Sequence, residues 1–227
     1  GGPPGAAMAP FLDVFPVPPL QCNCSIIGDT ETKDAVVVDP GGNVDTIVKK
    51  LDAQGFKCSR ILVTHGHLDH VLGATELKKR TGAVILMNQE DLFLYEKVAD
   101  QCRDFGVRPP AEPLAPPDEY LADGDVVQFA PSMTLRCIHC PGHTPGSMAY
   151  LFEQHKLCCP GDTLFSGSVG RTSWAGIPSL RGTSDSVQIV NSIKSKLLTL
   201  DPDTRVICGH GPQTTIGEER DENPFVR

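Results

Sequence analysis

Three histidines and one aspartate crowd into Thr64-His65-Gly66-His67-Leu68-Asp69-His70, directly behind the apolar, β-branched run 60–64. Imidazole and carboxylate are the ligands that Zn²⁺, Fe²⁺ and Mn²⁺ accept. Histidines at alternate positions of an extended loop send both rings to one side. Asp69 and His70 begin a helix and point elsewhere, so one short segment can serve two neighbouring metals. Such a chain must fold so that further ligands reach this segment. Three turns offer them: Pro141-Gly142-His143-Thr144-Pro145-Gly146, Gly161-Asp162-Thr163 and Cys208-Gly209-His210-Gly211. Each follows an expected strand and carries one candidate ligand beside glycine, which lets the backbone turn sharply and approach closely. Five of the 7 histidines lie in these segments, too concentrated for structural histidines scattered through a core.

The rest of the chain alternates strands and helices. Residues 25–28 and 35–38 are short apolar runs around the polar turn 29–34, which predicts a hairpin. Residues 45–54 carry Ile47, Val48 and Leu51 at helical spacing before Gly55. A second helix is expected over 68–81, closing on Lys78-Lys79-Arg80, and a strand over 83–87. Five prolines between 106 and 118 make that stretch an irregular connector. Strands are expected at 126–129, 134–139, 148–152, 156–159 and 205–207. A helix is expected over 186–198, with Val187, Val190, Ile193 and Leu197 on its apolar face. The pattern predicts one α/β domain in which helices cover two mainly β layers.

Composition narrows the function. With 20 Lys+Arg against 28 Asp+Glu, the net charge of -8 argues against a nucleic-acid partner. No apolar run approaches the roughly 18 residues of a membrane helix, so no membrane association is expected. Cysteine numbers 9, odd and irregularly spaced, and no secretory signal is visible; reduced thiols and a cytoplasmic location are expected. Cys22-x-Cys24 and Cys137-x-x-Cys140 read as buried thiols rather than metal or redox pairs. Residues 1–10 are expected to lie outside the domain. Gly1 to Ala7 read as an expression remnant before a native start at Met8 or as the stub of a cleaved leader, and the second case leaves organellar import open. The domain itself spans 11–227.

At these residues the chain resembles the metallo-β-lactamase-fold hydrolases: His65-x-His67-x-Asp69-His70, with His143, Asp162 and His210, matches that family's ligand signature. Within the fold it is most similar to the small, GloC-like type II glyoxalases (hydroxyacylglutathione hydrolases). The matching stretches are Val38-Asp39-Pro40-Gly41-Gly42, 61–70, 139–146, 161–171 and 209–224, so the likeness runs through nearly all of the chain from Phe11. The resemblance implies an αββα four-layer sandwich in a single domain. It implies one metal held by His65, His67 and His143, a second held by Asp69, His70 and His210, and Asp162 bridging them. The two divalent cations would be Zn, or Fe or Mn, and no Ser or Cys nucleophile is required. Two such cations bring the pKa of a shared water toward neutrality, and Asp69 would take a catalytic part by orienting it. A thioester suits the site, because a thiolate with a pKa near about 8.5 leaves without a strong general acid. The implied reaction converts S-D-lactoylglutathione to D-lactate and glutathione, as in methylglyoxal detoxification, with a small-molecule glutathione thioester as the partner.

Larger type II glyoxalases add a C-terminal helical region that contacts glutathione, and only 17 residues follow His210 here. Weak glutathione recognition and a broad substrate range are therefore expected. The alternative on the same fold is a persulfide dioxygenase, with one iron on His65, His143 and Asp162. Metal stoichiometry and oxygen uptake separate the two. Arg171, following Gly-Ser-Val-Gly, is the candidate for binding a substrate carboxylate. Trp174 and Arg181 fall in a Gly/Pro/Ser-rich stretch expected to line the pocket. His139 is expected in the strand just before the His143 loop, buried near the ligands rather than one of them, and His155 in a polar surface turn. The sequence assigns no oligomeric state.

Overall fold

Apolar residues on both faces of consecutive strands build the core in layers. The computed structural model describes residues 9–227. The expectation for residues 1–10 concerns, up to Met8, residues outside that range. The first sheet runs in chain order through β1 (Phe11–Val17), β2 (Cys22–Gly28), β3 (Asp34–Val38), β4 (Lys57–Leu62), β5 (Val84–Met87) and β6 (Glu119–Tyr120). The first three strands are antiparallel, with Gly28 opposite Ala35 in the expected hairpin. The last three follow β3 in parallel. Parallel neighbours need crossovers, and helices supply them: α1 (Val44–Gln54), α2 (Leu68–Val71) with α3 (Ala74–Thr81), and α4 (Leu92–Glu96) with α5 (Val98–Asp104). Pro16 sits in β1 at the sheet edge, where a missing N–H costs no ladder bond.

The second sheet holds β7 (Val126–Ala130), β8 (Met133–His139), β9 (Met148–Phe152) and β10 (Leu157–Gly161). A small ribbon of β11 (Leu164–Phe165) and β12 (Ser168–Val169) interrupts before β13 (Arg205–Cys208) and β14 (Thr214–Thr215) complete the sheet. Helices α6 (Ser186–Ser192) and α7 (Ile216–Glu222) lie after the ribbon and at the C-terminal end. Side-chain alternation sorts the residues into three cores. Ile26, Val37 and Ile61 face the helices of the first half. Ile27, Val36, Val38, Leu62 and Leu86 face Leu135, Met148, Tyr150 and Phe152 across the gap between sheets. Ile138, Ala149, Leu151 and Val206 face Ile189 and Ile193 on the far side. The layers are thus helix, sheet, sheet, helix, the expected αββα sandwich.

Two helical expectations need correction. The helix expected over 68–81 breaks after Val71, because the Gly73 N–H donates to the Pro40 carbonyl at 2.8 Å and not to the preceding turn. The helix expected over 186–198 ends at Ser192 and continues as a π-turn, Ile193–Leu197. Its buried stripe is Ile189, Ile193 and Leu197, while Val187 is exposed; Ile189 is held against the backbone of Gly142. Helices α4 and α5, of 5 and 7 residues, are too short for helical periodicity to mark them.

The strand directions place the candidate ligands. β3 and β4 are parallel, so their C-terminal ends, leading into Asp39 and His65, share one edge. β10 and β13 are parallel, and β8 runs the same way because both it and β10 are antiparallel to β9. His143, Asp162 and His210 therefore emerge at one edge of the second sheet. The two edges are tied by Met148 N donating to Thr64 O at 2.8 Å and Asn23 N donating to Gly209 O at 2.7 Å. Strand C-terminal ends are where open α/β sheets carry ligand sites.

Candidate metal centre

Seven side chains converge at this edge in two overlapping groups. In the first, His67 Nδ1 lies 3.0 Å from both His65 Nε2 and His143 Nε2. One imidazole nitrogen offers a single proton or a single lone pair and cannot satisfy two such neighbours. Ligands of a tetrahedral zinc at about 2.0–2.1 Å lie roughly 3.3 Å apart, so the three nitrogens are spaced as donors to one cation. In the second group, Asp69 Oδ2 lies 3.0 Å from His210 Nε2 and 3.6 Å from His70 Nε2. Asp162 stands between the groups, with Oδ2 3.6 Å from His143 Nε2 and from His210 Nε2, and Oδ1 3.4 Å from His70 Nε2. His70 Nε2 and Asp162 Oδ1 are buried without a hydrogen-bond partner. A cation answers both orphaned atoms, and the donor set of imidazoles and carboxylates fits one.

The surroundings fix the orientation of three of the five rings. His70 Nδ1 donates to Asp39 Oδ2 at 2.9 Å, so Nε2 is the nitrogen turned toward Asp69 and Asp162. His65 Nδ1 lies 3.1 Å from Thr64 Oγ1, which donates onward to Asp39 Oδ2 at 2.7 Å. His143 Nδ1 donates to the Arg171 carbonyl at 2.8 Å. Asp39 thus steadies one ring directly and another through Thr64. It occupies a left-handed conformation, φ 51, which aspartate tolerates better than most residues.

Asp91 and Gln101 hold the histidine loop from the helical side. Asp91, fully buried, accepts from Gly66 N, Gly146 N and Thr144 Oγ1 at 2.6–2.8 Å, joining the loop of His65 to the loop of His143. Burial nevertheless pushes its carboxyl up. Gln101 accepts from Leu68 N and donates to Gly66 O and Leu94 O. Neither residue was singled out from sequence, and no local pattern marks them, since their partners are remote along the chain. Asp39 was visible only as part of Asp39-Pro40-Gly41-Gly42 at a strand's end.

The electrostatics differ between the groups. Burial lowers His65, His67 and His143 below the usual imidazole range, so they are neutral and ready to donate lone pairs. Burial also opposes charge on His70, but Cys22 and the carboxylates of Asp69, Asp162 and Asp39 raise it. His210 is raised against burial by Asp69 and Asp162. Burial opposes the Asp69 carboxylate, yet His70 and His210 hold its carboxyl well below the ordinary range. A cation entering the second group must therefore displace protons.

A cavity of about 230 Å³ opens over the centre, lined by His67, Asp69, His143, Asp162 and His210, and by Arg171 and Trp174 as expected. The Trp174 ring stands edge-on to His67, centroids 5.0 Å apart, and the Arg171 guanidinium lies over its face at 5.0 Å. Arg181 does not line this cavity; it lines an adjoining groove with Lys97 and Arg103. His139 bonds the Pro145 carbonyl at 2.7 Å, bracing the His143 loop from behind. His155 lies in a short 3₁₀ turn, away from the centre. All nine cysteines are free and buried. Cys137 and Cys140 belong to cores on opposite faces of the second sheet and cannot act as a pair.

A family model described as the metallo-beta-lactamase superfamily matches residues 17–210. The chain is 36% identical over 216 residues to hydroxyacylglutathione hydrolase GloC of Haemophilus influenzae, covering 95% of this chain and 97% of that protein. Among solved structures, the BLEG-1 B3 metallo-beta-lactamase superposes with a TM-score of 0.83 at 30% identity, covering 95% of this chain and 99% of that one. TTHA1623 in a di-iron-bound form superposes with a TM-score of 0.82 at 31% identity, covering 94% and 99%.

Proposed function

The chain belongs to the metallo-β-lactamase superfamily, and on that premise we propose that it is a dinuclear, metal-dependent thioester hydrolase of the hydroxyacylglutathione hydrolase type. The observation that carries this reading is the Asp162 carboxylate standing between two groups of imidazole and carboxylate donors. The 36% identity to a protein of that name supports the substrate class. In this reading His65, His67 and His143 hold one ion, Asp69, His70 and His210 hold the other, and Asp162 bridges. Two divalent ions, zinc, iron or manganese, would supply Lewis acidity and an acidified water.

The residues do the rest. Asp69 faces the cavity beside His210 and orients the attacking water. The water gives up a proton to solvent as its oxygen adds to the thioester carbonyl carbon, the C–S bond breaks, the thiolate leaves with the bonding pair, and the acid product loses its remaining proton to solvent. Arg171 sits at the cavity rim. One of its N–H groups is committed to the Ser173 carbonyl at 2.7 Å, and its guanidinium has no acidic partner among the described residues. It is placed to take a carboxylate of the thiol part of the substrate. Among the described residues no helix is long and apolar enough to cross a membrane. With nine free thiols, the reaction belongs in a reducing compartment such as the cytoplasm.

Steady-state kinetics on S-D-lactoylglutathione test the reading. Hydrolysis is expected, with a weak KM. Arg171→Ala is expected to raise KM about tenfold while lowering kcat less than threefold, the pattern of a lost contact to a non-reacting part of the substrate. A variant that lowers kcat with KM unchanged would place Arg171 at the reacting atoms instead.

A further inference from the structure

The walls of the cavity over the centre divide sharply by chemistry. Besides the candidate ligands and Arg171, the lining consists of Leu20, Leu68, Phe105, Phe165, Trp174 and Leu180. None of the lining residues is a serine, threonine, tyrosine, asparagine or glutamine. Outside the ligand groups and the rim arginine, the one side-chain donor in these walls is the Trp174 indole N–H, which is buried without a partner and closed to solvent, so the lining side chains present no accessible hydrogen bond to a hydroxylated acyl group. A buried hydroxyl without a partner is penalised, whereas each methylene laid on apolar walls strengthens binding about fourfold. Leu20 is 38% exposed and Trp174 half-buried, so apolar surface stands open to solvent beside the reacting centre.

We propose that the preferred thioester carries an apolar acyl group, seated against Trp174, Leu20 and Phe105, in preference to a hydroxylated one such as lactoyl. This rests on the thioesterase reading and refines it to a substrate class. Trp174 is the wall nearest the chemistry: its ring contacts His67 edge-on and lies 5.7 Å from the His143 ring. A chain extending from the carbonyl carbon over these histidines meets the indole before it meets solvent. The guanidinium over the indole face keeps the charge at the rim, on the side left for the thiol part.

The single tryptophan makes binding measurable without turnover. Metal-replete protein is titrated with glutathione, S-methylglutathione and S-hexylglutathione, thioethers that cannot be hydrolysed, while tryptophan emission is followed. S-hexylglutathione is expected to shift the emission and to bind at least about tenfold more tightly than S-methylglutathione. Equal affinities, or no emission change, would overturn the proposal. In parallel, kcat/KM is compared for S-propanoylglutathione and S-D-lactoylglutathione, which differ by one hydroxyl. Each value is divided by the rate of the same thioester with hydroxide in solution. The propanoyl thioester is expected to be favoured at least fivefold, and Trp174→Ala and Leu20→Gln should both narrow that ratio. Leu20 is partly exposed, so its variant keeps the test alive if the tryptophan variant folds poorly. Hydrolysis of both thioesters with lactoyl favoured overturns the acyl preference and leaves the thioesterase reading. Hydrolysis of neither, with S-hexylglutathione still bound tightly, removes the thioesterase reading and leaves the apolar site.

Discussion

Asp162→Ala is expected to lower kcat/KM for thioester hydrolysis at least about a thousandfold, or roughly 4 kcal/mol, and to leave the purified protein with less than one metal ion per chain. The carboxylate stands 3.4–3.6 Å from His70, His143 and His210. In the proposed centre it would neutralise part of two cations at once, so its removal is expected to weaken both sites. Without it, two like charges would also face each other across a buried gap with no anion between them. His155→Ala is the control, since that side chain sits in a short turn away from the centre; wild-type metal content and rate are expected. Elemental analysis and kinetics on the two variants check the claim. Wild-type behaviour of Asp162→Ala would mean that the carboxylate does not bridge.

Gly209→Ala is expected to cost about a hundredfold in kcat/KM, and to lower metal content, although it changes no candidate ligand. A methyl group at this position would overlap Asp162 Oδ1 and stand 3.0 Å from the Gly161 carbonyl carbon. The loop cannot retreat, because Gly209 N donates to Gly161 O at 2.9 Å and Gly209 O accepts from Asn23 N at 2.7 Å. The carboxylate must swing away from the position in which it would bridge. Circular dichroism and a thermal melt separate this local effect from unfolding: a near-native fold with depleted metal is the expected pair. A variant with native metal content and rate would show that the loop has slack and that Asp162 is not pinned.

Sequence reasoning reached the seven candidate ligands because their chemistry is local. Each candidate sits with glycine behind an apolar strand, and the structure brings all seven of those side chains to one edge. The layers were also legible, since β3 reads Ala-Val-Val-Val, apolar on both faces, as a strand between two cores must. Residues that act through distant partners were not. Asp91 lies 25 and 55 positions from the glycines it joins, and Gln101 lies 33 from Leu68. The break after Val71 has the same origin, because the carbonyl that captures Gly73 belongs to Pro40. Val187 fits the helical stripe by spacing, yet the contact of Gly142 with Ile189 turns α6 so that Val187 faces solvent. Local pattern fixes which residues are apolar or ligating; only tertiary contact decides which face turns inward and which loop is tied to which.

A persulfide dioxygenase on the same fold is the sharpest alternative, with one iron on His65, His143 and Asp162 in place of two ions on seven side chains. The decisive measurement is the metal content of metal-replete wild-type protein by elemental analysis, taken on the sample whose thioester hydrolysis and oxygen uptake are recorded. Two ions per chain, hydrolysis of a glutathione thioester and no oxygen uptake are the expected result. One iron per chain, with oxygen consumed on glutathione persulfide and no thioester hydrolysis, would contradict it.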